Sequence, residues 1–140
     1  MADYHHLYEQ FMKGGNALQV YEGDNLIFSS NKPMLAPLLE YIEVMAEHHK
    51  QVVIFDKILG NAAALLCVMA HCNETYSPLG SELAIKTLSK HGIVYHIDKV
   101  VPYIQKPSMT EMCPMEKLSI GKEPEEFYQA VKLKKPNPTC

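Results

Sequence analysis

Two short segments place reactive side chains where helices are predicted to begin. The first is the loop Asp56-Lys57-Ile58-Leu59-Gly60-Asn61, which joins an apolar strand to an Ala-rich helix. In open α/β sheets, ligands bind beyond the carboxyl ends of the strands, and helix N-termini favour anions. Lys57 would add positive charge, Asp56 would accept hydrogen bonds, and Gly60 would permit close approach. The alternative is that Asp56 or Asn61 only caps the helix.

The second segment is Cys113-Pro114-Met115-Glu116. Its residue types match the N-cap and first turn of a helix, with Pro at the first position and Glu at the capping-box position. A helix dipole stabilises a thiolate there, which would make Cys113 a nucleophile or a sulfur carrier. Asp56 and Glu116 are the candidate acid–base groups. The alternative is that Cys113 is an inert, partly buried residue at a structural cap.

A third helix start follows the next predicted strand, where Ser81 is a good N-cap. If the two strands are neighbours, the Ser81 loop lies beside the Asp56 loop. One cleft at the carboxyl ends of the strands would then be lined by Asp56, Lys57, Gly60, Asn61 and Ser81. Cys113 and Glu116 are further candidates for the lining of this cleft.

A metal site is not predicted. Three possible ligands, Cys67, His71 and Cys72, lie close together in the sequence, and Cys67 and His71, four residues apart, share one face of a predicted helix. A structural zinc site usually needs four ligands, and no fourth is evident. Cys67 also lies in an apolar run, which favours a place in the core. We therefore predict neither a metal nor a cofactor.

The elements that position these residues alternate between helical and strand patterns. Apolar spacings of three and four predict helices, and continuous apolar runs predict buried strands. The predicted strands are 17–21, 26–29, 51–56, 75–78 and 93–97, followed by an extended run at 100–104. The order predicts a three-layer α/β/α sandwich with a mixed sheet, in which the strands joined by helices are parallel.

Length and composition indicate one ordinary globular domain. The chain has 140 residues, which we assign to a single domain at 1–132 and a frayed Lys- and Pro-rich tail at 133–140. The net charge of −3 argues against duplex DNA or an anionic membrane as a partner. No apolar run reaches the roughly 18–20 residues that cross a bilayer.

The cysteines and the N-terminus predict a cytoplasmic protein. The first residues are polar and aromatic, unlike a signal peptide. Without a secretion signal, we expect the four cysteines to be reduced thiols; they are Cys67, Cys72, Cys113 and Cys140.

Four motifs together resemble a known family. They are the run 56–66 (DKILGNAAALL), Ser81-Glu82, Val101-Pro102-Tyr103-Ile104 and Cys113-Pro114-Met115-Glu116. The chain resembles, over about residues 17–132, a small prokaryotic family catalogued as domain of unknown function 1893. That family is grouped with the cytidine deaminase-like fold and has no agreed activity, so the resemblance implies a fold and very little function.

The zinc site of a deaminase is missing from the sequence. Such a site needs three protein ligands and a proton-shuttling Glu, placed at two helix starts. The corresponding positions fall near 32–37 and 60–64, and neither stretch contains His or Cys. Hydrolytic deamination with zinc is therefore not expected.

Two functional hypotheses remain. In the first, the cleft binds a small molecule, nucleotide-like or anionic, and Cys113 is the covalent participant if the protein is an enzyme. No residue pattern specifies a reaction class. In the second, the protein is a non-catalytic interaction or regulatory module that kept the fold and lost the chemistry. A homo-oligomer assembled through helix faces is plausible by analogy with the fold.

Overall fold

The computed structural model describes residues 3–105 and 111–133, which form a five-stranded sheet with helices on both faces. Apart from Leu133, the predicted tail at 133–140 lies outside the described residues. The strands are β1 (Leu18–Glu22), β2 (Asn25–Ser30), β3 (Val52–Asp56), β4 (Cys72–Ser81) and β5 (Val94–Val101). The helices are α1 (Tyr4–Lys13), α2 (Ala36–Val44), α3 (Asn61–Met69), α4 (Glu82–Lys90), α5 (Pro114–Ser119) and α6 (Pro124–Leu133), with a 3₁₀ turn at Ala46–His48.

The sheet is mixed and has the strand order β2-β1-β3-β4-β5. The hairpin strands β1 and β2 are antiparallel, and β1 is also antiparallel to β3. The strands β3, β4 and β5 are parallel neighbours, joined through α3 and α4. This arrangement confirms the predicted mixed sheet and its parallel crossover strands.

The central strand β3 is buried on both faces, and its side chains alternate between two cores. Val52 and Ile54 belong to the larger core, which includes residues of α2 to α6. Val53 and Phe55 belong to a smaller aromatic cluster, against which α1 packs through residues that include Phe11. Helices therefore lie on both faces, which confirms the predicted α/β sandwich, although α1 is the one described helix in the second layer.

Two strands are longer than predicted. The strand β4 contains the whole predicted segment 75–78, and its parallel register to β5 resumes after Pro78, with Leu79 facing Lys99. The strand β5 joins most of the predicted strand 93–97 to the first two residues of the extended run 100–104, across the charged pair Asp98-Lys99, and it ends before Pro102. Charged residues fit there because β5 is an edge strand and all eight of its residues are exposed or half-buried, so apolar alternation did not reveal its full length.

Candidate functional site

The loops after β3 and β4 lie side by side at the carboxyl ends of these strands. The N–H of Leu59 donates to the carbonyl of Leu79 at 2.8 Å, and the N–H of Ser81 donates to the carbonyl of Leu59 at 3.1 Å. The predicted proximity of the two loops is therefore confirmed. These hydrogen bonds use backbone groups that would otherwise be available to a ligand.

A buried carboxylate lies at the N-terminus of α3. The Oε1 atom of Glu116 accepts the N–H of Asn61 at 2.5 Å, and its Oε2 atom accepts the N–H of Ile104 at 2.9 Å. The predicted capping box is wrong, because the N–H of Cys113 donates to Ile104 instead of reaching Glu116. Glu116 thus stabilises a helix distant in sequence rather than its own.

Gly60 is the residue that allows this approach. It is the N-cap of α3, and no side chain of its own segment caps the helix. A Cβ atom at this position would lie 2.7 Å from Cγ1 of Ile104 and 2.8 Å from Oε1 of Glu116. The absent side chain is therefore a packing requirement of the Glu116 contact.

The Asn61 side chain connects three helices and does not cap α3, contrary to one of the predicted alternatives. Its Nδ2 atom donates to Ser119 in α5, at 2.9 Å to Oγ and 3.3 Å to the carbonyl oxygen. Its Oδ1 atom accepts from the hydroxyl of Thr87 in α4. The amide is buried, and these bonds employ both ends of it.

Three predicted site residues line a small cavity beside this network. The cavity has a volume of about 20 Å³, room for about one water molecule. Its walls contain Gly60, Cys113 and Glu116 from the prediction, together with Leu35, Ile58, Ala62, Ala63, Ile104 and Met115. The structure thus brings together residues from motifs that are far apart in the chain.

Asp56 is not among the described residues that line this cavity. It ends β3 and is largely buried, and its Oδ1 atom accepts the N–H of Ile58 at 3.3 Å. Burial raises the pKa of Asp56 to about 7, although backbone hydrogen bonds from Ile58 and Lys57 oppose the shift. A carboxyl group with this pKa can gain or lose a proton near neutral pH.

Lys57 and Ser81 bind other groups of the chain, and neither is among the described residues that line the cavity. The Nζ atom of Lys57 donates to the carbonyl of Gly14 at 3.3 Å and lies 4.8 Å from the ring centroid of Phe11. It therefore connects the end of α1 to the end of β3. The buried Ser81 accepts the N–H of Ala84 at 3.1 Å, as predicted for the N-cap of α4.

The cysteines differ in their chemical state. Cys113 is the N-cap of α5, as predicted, but it is buried and disulfide-bonded. The prediction that every cysteine is a reduced thiol is therefore wrong for Cys113 in this structure. Cys67 and Cys72 are free and buried, and a hydrogen bond with Cys72, together with burial, raises the pKa of the Cys67 thiol. The catalytic roles of Cys113, Asp56 and Glu116 stay predictions.

Sequence reasoning missed several members of the network. Ile104 contributes a backbone N–H, which no side-chain pattern reveals. Ser119 and Thr87 bind Asn61 from helices that are distant in sequence. The one available signal was the spacing of Glu116 and Ser119, which places both residues on one face of α5.

Two classes of site are not found in the described residues. Within 3–105 and 111–133, no three His, Cys, Asp or Glu side chains form a group that could hold a metal ion. None of the helices described there is long and apolar enough to cross a membrane.

Comparison with known proteins places the chain in a family. A family model described as domain of unknown function (DUF1893) matches residues 6–134. The chain is also similar to a crystal structure of a DUF1893 family protein, TM1506 from Thermotoga maritima. The identity is 25%, the match covers 92% of this chain and 87% of that one, and the TM-score is 0.82. Among curated proteins, none matches this chain. The protein therefore belongs to the DUF1893 family.

Proposed function

We propose that this protein is a non-catalytic interaction module that keeps an α/β sandwich without an open active site. The observation that carries the proposal is the position of the Glu116 carboxylate. Its Oε1 atom accepts the N–H of Asn61 at the start of α3, where a ligand of this fold class would bind, and its Oε2 atom accepts the N–H of Ile104. The protein's own side chain occupies that position.

An anionic ligand would meet two obstacles at α3. It would compete for the N–H of Asn61, which already donates to a carboxylate. It would also enter a buried region next to that negative charge, and like charges at short range repel strongly away from water. The cavity of about 20 Å³ is also far below the roughly 300–1,000 Å³ of typical small-molecule sites.

The second candidate is the small-molecule site predicted from the sequence. Two observations favour it. Gly60, Cys113 and Glu116 line one cavity, and the pKa of Asp56 lies near neutrality, as acid–base catalysts require. In this alternative Cys113, once reduced, would be the covalent participant. The cytidine deaminase-like fold that the resemblance implies would then hold chemistry without zinc.

Mass spectrometry of the purified protein, under native and then denaturing conditions, separates the two candidates. The interaction module predicts a chain without a retained small molecule and without an adduct on Cys113. A retained molecule, or an adduct mapped to Cys113, would overturn the proposal in favour of the ligand site.

Thermal shift measurements with inorganic phosphate and cytidine monophosphate provide an independent test. Neither probe should raise the melting temperature of the protein. The contrary result is a rise in melting temperature that depends on the cavity. Ile58→Tyr, at the cavity wall, would then abolish the rise, whereas the control Val44→Tyr, on the exposed surface of α2, would preserve it. That pattern would show binding in the cavity and would contradict the interaction module.

A further inference from the structure

We propose that two copies of this chain associate through their β5 strands, which pair antiparallel about a two-fold axis at Ile97. The inference rests on the proposed function, since it names the partner of the interaction module as a second copy. It also replaces the helix faces expected from the sequence with a sheet edge as the interface. A two-fold interface of this kind uses the same surface on both copies.

The strand β5 has the features of an edge that accepts another strand. It is eight residues long, and within the described residues it pairs only with β4. Exposed apolar side chains lie along it: Val94 is 55% exposed, Tyr95 37% and Val100 46%. A long, apolar edge strand is a template for pairing with another chain.

The symmetry of the pair restricts the register. When a two-fold axis perpendicular to the sheet relates two antiparallel strands, the α1 face of both copies lies on the same side of the joined sheet. The residue at the axis then lies directly opposite the same residue of the second copy. An axis at Asp98 or Lys99 would place like charges directly opposite each other, which is unfavourable. An axis at His96 would oppose two imidazoles. Registers centred farther along the strand pair fewer residues, which leaves Ile97.

The register centred on Ile97 gives complementary pairs on the α1 face of the sheet. His96 lies opposite Asp98 of the second copy, and Asp98 lies opposite the second copy's His96. Val94 lies opposite Val100, again twice, so two exposed valines cover each other at both ends. Cross-strand pairs of opposite polarity and of apolar residues both stabilise a sheet.

The structure holds His96 and Asp98 in place for these contacts. The His96 ring stacks on Tyr76 with centroids 4.1 Å apart, and its Nε2 atom lies 2.8 Å from Oε2 of Glu74. The other ring nitrogen is then the one that would donate to Asp98 across the interface. The Oδ2 atom of Asp98 accepts the hydroxyl of Tyr8 at 2.9 Å. Side chains fixed in this way lose little conformational entropy on association.

The opposite face of the sheet resolves an apparent difficulty. A lysine on an edge strand usually discourages pairing with another chain. In this register Lys99 lies opposite Tyr95 of the second copy, where the ammonium group can contact the aromatic ring. The side chain that would disfavour other registers is therefore compatible with this one.

Light scattering coupled to size-exclusion chromatography tests the pairing through charge rescue. The wild-type chain should show twice the chain mass, with a monomer fraction that rises on dilution. Val94→Lys and Val100→Glu should each lower the dimer fraction at least tenfold, because each buries a charge opposite a valine. The double variant V94K/V100E should restore the dimer, since the two new charges face each other at both ends. Val44→Glu, on exposed α2, is the control that should leave the mass unchanged.

Three results would overturn the β5 pairing: a wild-type monomer at all concentrations, a dimer unaffected by V100E, or failure of the double variant to recover. Circular dichroism of each variant ensures that a lost dimer is not a lost fold. A monomeric, ligand-free protein would refute this pairing and leave the interaction module in place. A retained ligand would refute the interaction module whatever the mass.

Discussion

The N–H of Asn61 donates to the carboxylate of Glu116 at 2.5 Å, across 55 residues of sequence. This bond joins the start of α3 to α5 in the C-terminal part of the chain. It accounts for three features at once: a glycine at position 60, a buried acid at 116, and a cavity with little free volume between them. The motifs that suggested chemistry are therefore also the parts of one buried hydrogen-bond network.

Removing the charge of Glu116 should destabilise the fold. In Glu116→Gln an amide NH₂ group replaces one of the two carboxylate oxygens. It cannot accept a hydrogen bond, so the buried N–H of either Asn61 or Ile104 loses its acceptor. We expect the free energy of unfolding to fall by about 2 kcal/mol. Urea denaturation measures the change. Glu40→Gln is the matched control, because Glu40 pairs with Lys32 on the surface and should contribute less than about 1 kcal/mol. Equal losses in the two variants would contradict a special role for Glu116.

A methyl group at position 60 should be poorly tolerated. Gly60→Ala places Cβ within 2.8 Å of the Glu116 carboxylate and closer still to Ile104. We expect a loss of about 1–3 kcal/mol, because the carboxylate must move from its hydrogen bonds. Gly15→Ala is the control, since nothing lies within 4 Å of its added Cβ. A Gly60→Ala variant as stable as wild type in urea would show that Ile104 and Glu116 can move to accommodate the methyl group without loss of stability.

Asp56 should make stability decrease as pH rises. Its pKa is raised by burial to about 7 in the folded state, above the ordinary value of about 3.9 in the unfolded state. Between these values the folded state holds more protons, so the free energy of unfolding falls from about pH 4 to pH 7 and then levels off. Asp56→Asn should remove this contribution, because the amide does not ionise in that range.

The check on Asp56 is a series of urea titrations between pH 4 and pH 8 for both proteins. The unfolding free energy of Asp56→Asn minus that of the wild type should increase as the pH rises. Other titrating groups contribute equally to both curves and cancel in the difference. A difference that stays constant with pH would mean that Asp56 ionises normally in the folded protein.

Ser81 should contribute mainly as a helix cap. Its hydroxyl accepts the N–H of Ala84 at 3.1 Å, so Ser81→Ala should lower the unfolding free energy by about 1 kcal/mol. Ser89→Ala is the control. Ser89 is exposed in the last turn of the same helix, so this substitution should change the unfolding free energy little. Thermal denaturation of both variants decides. Equal melting temperatures for the two variants would show that the Ser81 hydroxyl does not stabilise α4 as an N-cap.

The sequence by itself determined the features that depend on neighbouring residues. The turn that joins β1 to β2 contains Gly23, a residue type that tolerates positive φ, and Gly23 has a φ of 60°. Ser81 and Cys113 stand at the N-caps where their residue types predicted them. The apolar run of β3 predicted a strand buried on both faces. Each of these features was predictable from residue types within a short segment of the chain.

Only the tertiary structure decided what the candidate site residues contact. Glu116 has the same sequence signature as a capping-box acid, yet it binds the start of α3, because the fold brings α5 against Gly60. Lys57 follows a strand as a ligand-binding lysine would, yet its amine binds the end of α1. These partners are distant in sequence, and a side chain's type does not specify which distant backbone group the fold brings within hydrogen-bond distance.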